Sequence, residues 1–291
     1  MRIGFIGFGE AASSIATGLH DEGLTGMLAF DVADSEILRE RASAAEVTLT
    51  ESLKDLAESS DVVLSMVTAA SALSVAKTAA GFMRPGTIYA DLNSCSPRTK
   101  QEIFNVVAES RRDVAFAGVA VMSAVPPWKH RVPMVADGPG APRLQASLKP
   151  YGMRIDVLPG PVGAAAALKM CRSAILKGME ALFLEALLAA ESVGVGEQVL
   201  TSLDASFPEN RLSEIVKYLL GRNMAHGIRR AEEMAEVAAT FRELGITPFA
   251  AGGAADRLAW AARVCPAPER SQVGSYEEWL RILLKSGQES M

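Results

Sequence analysis

Cysteine is scarce in this 291-residue chain: Cys95, Cys171 and Cys265, an odd number with no paired spacing. Neither a disulfide framework nor a cysteine-based metal site is expected, and a reduced, cytoplasmic setting fits. Basic charge is also short. With 29 Lys and Arg against 34 Asp and Glu the formal net charge is −5, which argues against a nucleic-acid partner. A local basic cluster therefore reads as a site for a small anion. Long uninterrupted apolar runs are missing too. The most hydrophobic stretch, 160–190, is broken by Lys169, Arg172, Lys177, Glu180 and Glu185, so no membrane span of about 20 apolar residues is expected. The N-terminal IGFIGFG is too short and too glycine-rich for a signal peptide, and no targeting segment is expected.

What is present is length enough for two domains and a regular alternation of patterns. Apolar runs at 2–7, 27–31, 46–48, 61–67 and 87–91 read as strands, and 10–22, 34–43, 52–58, 70–80 and 97–109 as helices. Continuous apolar strands between helices predict a parallel sheet covered on both faces. From Val114 three more strand-like runs follow, with a helix at 141–148 and no long helix between the first two, so mixed pairing is expected there. Beyond Pro161 the pattern is only helical: 163–193, 196–204, 209–220, 223–244 and 248–263. Breaks are expected at Gly194-Val195-Gly196, Phe207-Pro208 and Gly245 to Pro248.

Gly7-Phe8-Gly9-Glu10-Ala11-Ala12 is a G-x-G-x-x-A motif between the first strand and the first helix. The first glycine allows the tight turn, the second lets the backbone approach a pyrophosphate, and Ala12 permits close helix–strand packing. Asp31 stands at the end of the next strand, near the expected interval of about 20 residues. Its carboxylate suits a ribose 2′-hydroxyl and repels a 2′-phosphate, while Arg39 and Arg41 come too late to clamp one, so NAD is favoured over NADP. Ligands of such sheets bind beyond the carboxyl ends of the strands, which puts Met66, Val67, Thr68 and Asn93 beside the cofactor and Ser94 toward the substrate. Turn or N-cap duty is the competing reading of Thr68, Asn93 and Ser94. The expected fold class is α/β, a Rossmann-type doubly wound sheet over 1–161 followed by an all-α domain over 162–291.

The two domains are expected to join through a long helix at 162–193. Its opening, Gly163 and Ala164 to Ala167, is built of small residues that something must approach closely. Lys169, Ser173 and Lys177 then follow at i, i+4, i+8 on one face, with Arg172 one step round. Cations in a largely apolar helix are unfavourable unless they face a cleft or an anion, so this helix reads as the wall of an active site.

The chain resembles the β-hydroxyacid dehydrogenases, the group of 3-hydroxyisobutyrate and 6-phosphogluconate dehydrogenases, and especially a divergent phosphogluconate-dehydrogenase-like branch. The resemblance spans essentially the whole chain through IGFIGFG, DLNSCSP, GVAVMSA and GPVGAAAALKM. It implies an NAD(P)-dependent oxidoreductase and a homodimer formed through the helical domain; the residues themselves lead one to expect no metal. It also implies that Lys169 is the catalytic lysine and that position 173 binds substrate, here as Ser173 with Arg172 before it. The Ser-Gly-Gly that grips substrate in relatives falls on Met122-Ser123-Ala124. These departures point away from the usual substrates of the family.

A lysine with a reference pKa of about 10.4 is a poor base at neutral pH unless lowered toward about 7–8, a shift of roughly 3–4 kcal/mol. One like charge within about 5–6 Å at an effective dielectric of about 20 provides about 3 kcal/mol. Arg172 or Lys177 is therefore expected to depress Lys169 or to meet an anionic substrate group. The alternative is a lysine that merely snorkels from an amphipathic helix. The expected function is hydride transfer between NAD and a small anionic 3-hydroxy acid. Oxidative decarboxylation of a sugar acid and a non-catalytic NAD-binding sensor are the alternatives. Roles for His226, Arg229, Arg230 and the loop around Trp128 are left open, a buried tryptophan and an exposed helix of paired charges being the plainer expectations.

Overall fold

The first apolar run folds as β1 (Ile3–Ile6), buried on both faces, and the glycine motif turns it into α1 (Glu10–Asp21). The computed structural model describes residues 1–110, 113–206, 211–266 and 273–288, of which 286–288 are described in secondary structure only. It divides into two compact units, Met1–Lys169 and Met170–Met291.

In the first unit the alternation continues through β2 (Leu28–Phe30), α2 (Glu36–Ala44), β3 (Thr48–Leu49), α3 (Leu53–Ser59), β4 (Val62–Ser65), α4 (Ala69–Ala80), β5 (Ile88–Asp91) and α5 (Pro97–Glu109). It closes with β6 (Ala115–Val121), β7 (Met134–Asp137), α6 (Ala141–Leu148) and β8 (Ile155–Val157). The helices begin where side chains can satisfy their first N–H groups: Ser35, Ser52 and Ser96 cap α2, α3 and α5, and Pro97 follows at a position that needs no N–H. The eight strands form one sheet in the order β3-β2-β1-β4-β5-β6-β7-β8. Every neighbouring pair is parallel except β6 and β7, which pair antiparallel, the mixed finish that the missing helix between them leads one to expect. The fold is the Rossmann-type α/β sheet followed by a helical region.

Alternation along the strands divides the core into two layers. Phe5, Leu64, Ala90 and Val119 pack on one face with Ile15 and Leu19 of α1. Ile6, Val63, Tyr89 and Phe116 pack on the other with Ala72 and Ala76 of α4 and Ile103 and Val107 of α5. On this second face the register aligns Ile6, Ser65, Asp91, Gly118 and Asp137 in one row across five strands. Three of these are polar and buried. Lys100, reaching in from the apolar stripe of α5, pairs with Asp91: its Nζ lies 2.9 Å from Asp91 Oδ2 and donates to the Asp91 carbonyl at 2.7 Å and the Val119 carbonyl at 3.4 Å. Three partners match the three donors of an ammonium.

Helix α7 (Ala164–Ser192) runs through the division between the units. The second unit continues with α8 (Gly196–Ser206), α9 (Leu212–Glu243), α10 (Phe249–Val264) and α11 (Tyr276–Gln288). One apolar cluster joins Leu184, Leu187, Leu200, Leu220, Trp279 and Leu283, and another joins Met170, Ala181, Met234, Val237 and Leu258. Two expectations need correction. Gly221-Arg222 does not end a helix: 212–243 is continuous in assignment, and its irregularity comes at His226, whose φ of −131° and ψ of 23° leave the helical region. Helix α11 was not anticipated at all. The break expected at Phe207-Pro208 lies outside the described residues. Among the described residues no helix is long and apolar enough to cross a membrane.

Removing one member of a buried ion pair strands the other, at about 3–5 kcal/mol. Lys100→Met is expected to lower unfolding free energy by about that amount in urea titrations, and a loss below about 1 kcal/mol would show that the pair is not holding the row together.

Candidate functional site

The glycine motif is built as a cradle. Gly7 has a φ of 82°, and a Cβ there would lie 2.5 Å from the Met66 carbonyl oxygen, so only glycine fits between β1 and β4. Gly9 differs: an added Cβ meets nothing within 4 Å. Its backbone faces open space, as close approach by a ligand requires. The N–H groups of Glu10, Ala11 and Ala12 precede the first intrahelical bond, Ser13 N–H to Gly9 carbonyl at 3.0 Å, and Gly9 brings no capping side chain. Donors left without an intrahelical acceptor and the positive end of the α1 dipole suit this turn to an anion such as a pyrophosphate. Ala12 is buried, as its packing role demands, and Ala11 is half-buried above it.

Asp31 does more than its sequence position suggests. Its Oδ2 accepts the Phe8 N–H at 2.7 Å and its Oδ1 the Ala33 N–H at 2.9 Å. The carboxylate thus ties the glycine turn to the end of β2, and the Phe8 N–H is already engaged. The Phe8 ring is fully buried, edge-on to Phe5 with centroids 5.7 Å apart. Phe8 therefore shapes the cradle from behind.

At the next strand ends Met66 and Val67 are half-buried, and Thr68 and Ser94 are exposed. Thr68 opens α4 and donates from its Oγ1 to Ser71 Oγ at 3.0 Å. Asn93 is 4 % exposed and consumed internally. Its Oδ1 accepts the Val67 N–H at 2.7 Å, its Nδ2 donates to Ser65 Oγ at 3.1 Å and to Asp91 Oδ1, and its own N–H reaches Asp91 Oδ1 at 3.2 Å. The structure makes it a brace between the ends of β4 and β5.

Past β6, Ser123 and Ala124 are exposed. The loop that follows is pinned to the end of α1, with Lys129 Nζ 2.8 Å from Asp21 and Arg131 2.5 Å from Glu22. His130 is buried between these contacts, and burial lowers its pKa. Trp128, expected to be buried, is 49 % exposed. The anchors of this loop are its charges, which leaves the ring outside.

The small residues that open α7 were expected to be approached closely, and the first unit supplies one such neighbour. Gly163 has a φ of 97°, and a Cβ on it would lie 2.8 Å from the Pro97 carbonyl oxygen, so the close approach is to the first turn of α5. Ala165 and Ala166 are buried in protein. Asp137, which nothing in the motifs singled out, receives this turn: its Oδ2 accepts the Gly163 N–H at 3.0 Å and the Ala165 N–H at 2.8 Å. Lys169 follows, half-buried, at the end of the first unit.

In the second unit Arg172 is exposed and Ser173 half-buried. Lys177 is buried, and its Nζ lies 2.9 Å from Glu233, so its charge is matched within the unit. Burial lowers its pKa, against the pull of that carboxylate. Arg230 is 4 % exposed and forms a bidentate pair with fully buried Glu180. The expected exposed helix of paired charges is corrected for this residue, while Arg229 is exposed beside Glu233.

Residues 2–123 match the family model of the NAD-binding domain of 6-phosphogluconate dehydrogenase, and 190–261 match a domain of unknown function, DUF1932. A conserved hypothetical protein of Sinorhizobium meliloti 1021 is 34 % identical, with a TM-score of 0.86 over 98 % of this chain and 96 % of that one. The conserved protein MTH1747, of unknown function and described as structurally similar to 3-hydroxyacid dehydrogenases, is 31 % identical with a TM-score of 0.79, covering 94 % of this chain and all (100 %) of that one. The 3-hydroxyisobutyrate dehydrogenase of Mycobacterium tuberculosis, solved with L-serine, shares the fold at 18 % identity, TM-score 0.78, over 97 % of this chain and 98 % of that one.

The contrast between the two motif glycines can be read directly. Gly9→Ala is expected to change unfolding free energy by less than about 1 kcal/mol while weakening NAD binding at least about tenfold, because a methyl group occupies the approach to the pyrophosphate. Gly7→Ala is expected to lose more than about 1 kcal/mol of stability as well. Calorimetric titration and thermal unfolding of both variants check the pair, and equal NAD affinity in Gly9→Ala would remove the cradle from consideration.

Proposed function

The chain belongs to the β-hydroxyacid dehydrogenase family, and from that premise we propose that it is an NAD-dependent dehydrogenase oxidising a small anionic 3-hydroxy acid, with Lys169 as its acid–base residue. The observation that supports this best is an open dinucleotide cradle at Gly7 to Ala12 together with a lysine set one turn beyond an anchored helix start.

Held by the turn at Gly7 to Ala12 and by Asp31, a nicotinamide cofactor would supply the hydride acceptor for the alcohol carbon. The chain's own task is to hold the alcohol and to take its proton. Lys169 Nζ, in its neutral form, accepts the hydroxyl proton as the carbonyl forms, and in the reverse direction returns it. In the first unit Ser94 and Ser123 offer hydroxyl donors and acceptors for the substrate. Arg172 is the cation for the substrate carboxylate, because Lys177 already has Glu233 as partner. An exposed arginine is also suited to a bidentate carboxylate contact.

For the cofactor, each Asp31 oxygen accepts one backbone N–H, which leaves lone pairs for ribose hydroxyls, while a 2′-phosphate would meet a carboxylate there. This favours NAD over NADP.

Lys169→Ala is expected to retain NAD affinity within about twofold and to lose at least about 100-fold in turnover on whichever hydroxy acid the wild type oxidises. Undiminished turnover would sink the assignment. Asp31→Asn is expected to narrow the preference for NAD over NADP by about tenfold or more, measured as the ratio of dissociation constants. A preference that widens instead would reverse the cofactor assignment.

A further inference from the structure

We propose that Asp137 is the positioning residue for Lys169, its carboxylate anchoring the first turn of α7 through the N–H groups of Gly163 and Ala165. Its functional meaning depends on the dehydrogenase reading above, whereas the anchoring itself does not.

A helix begins with N–H groups that its own carbonyls cannot serve. The approach to α7, Gly160-Pro161-Val162-Gly163, has no Ser, Thr, Asp or Asn to cap them. The acceptor comes instead from the end of β7, where one oxygen of Asp137 takes the Gly163 N–H at 3.0 Å and the Ala165 N–H at 2.8 Å. A negative charge at this end of a helix is also favoured by the dipole. Ala165 and Lys169 are four residues apart, one turn along the same face, so fixing the first sets the height and rotation of the second.

Asp137 is itself held without freedom. It is 1 % exposed and lies opposite Gly118 in the register. A Cβ at position 118 would come within 2.6 Å of Asp137 Oδ1, so the glycine makes the space in which the carboxylate lies. The other side of the same helical turn is closed by Pro97, against which Gly163 is packed. The start of α7 is therefore gripped between a strand end and a helix start.

Burying a carboxylate for capping alone is a poor bargain, since a neutral side chain would serve. Burial raises the Asp137 pKa, while the Ala165 and Gly163 N–H groups and the Lys100 charge oppose that rise. Among the described residues its Oδ1 has no hydrogen-bond partner. What Asp137 provides is a single oxygen that accepts two N–H groups of the turn from which Lys169 is placed.

The test measures Lys169 directly. Limited acetylation by acetic anhydride across pH, read by peptide mass spectrometry, gives the reactivity of Lys169 relative to exposed Lys54 in the wild type, Asp137→Asn and Asp137→Ala. The ratio is expected to change at least about threefold in Asp137→Ala, the equivalent of half a pKa unit. On a substrate that the wild type oxidises, kcat should fall at least about tenfold with the KM for NAD within about twofold, as misplacement of an acid–base group requires. A folded Asp137→Ala protein with an unchanged acetylation ratio overturns the proposal, even if its melting temperature falls. Should that variant not fold, Gly118→Ala displaces the carboxylate without removing it, and the same ratio decides. If the wild type oxidises no hydroxy acid, the dehydrogenase reading fails, and the acetylation ratio still decides the anchoring.

Discussion

A single buried ammonium holds the carboxyl ends of the sheet in order. Lys100 brings one positive charge to a level of the core that holds the buried side chains of Asp91 and Asp137, and it pairs with the first. An isolated buried charge is intolerable in a protein interior, and an ion pair there is acceptable only when its remaining donors are satisfied. Lys100 meets that condition through the Asp91 and Val119 carbonyls. The polar row can then exist, and the loops at the strand ends hang from it. Asn93 braces Val67 to Asp91, and Asp137 receives α7. The same constraint explains why glycine stands at 118, the one position of the row that must leave room for its neighbour.

The first unit was legible in the sequence because its signals are local. Apolar runs of strand length between helical periods, serine caps and the glycine motif each act within a few residues, and the structure follows them closely from β1 to β8. The mixed pairing of β6 and β7 was also legible, since a chain without a crossover helix has to return antiparallel. Helix α11 was missed although Trp279, Leu280 and Leu283 have the spacing of a buried face. The kink of α9 at His226 is a tertiary matter that no capping residue marks. Gly221 looked like a break and is not one, because a glycine inside a helix is disfavoured by only about 1 kcal/mol, which packing along a helix of this length outweighs.

The site was legible to a different degree. Backbone-driven parts, such as the turn at Gly7 and the open approach at Gly9, follow from residue types that admit few alternatives. Side-chain partnerships do not. Lys177 and Glu233 lie 56 positions apart, and nothing local tells a reader that the cation is already answered. Lys100 offered a faint signal, a lysine at i, i+3, i+7 with Ile103 and Val107 on a buried stripe. Asp137 offered another, an acid closing an apolar strand before Gly-Pro-Gly. Both gain their meaning only when five strands are laid side by side. At the head of α7 the close approach is legible in Gly163 itself, whereas its neighbour, the first turn of α5, lies too far away in sequence to be read.

The bond between Asp31 and the Phe8 N–H has a kinetic consequence. A glycine-rich turn is ordinarily the most mobile part of such a domain, and a ligand that had to order it would bind slowly and with an entropic penalty. Here the turn is stapled to the neighbouring strand by a charge-assisted hydrogen bond and backed by the buried Phe8 ring. The cradle stands ready, so cofactor capture is a collision with a preformed surface, and its rate is governed by diffusion and orientation more than by the folding of the loop.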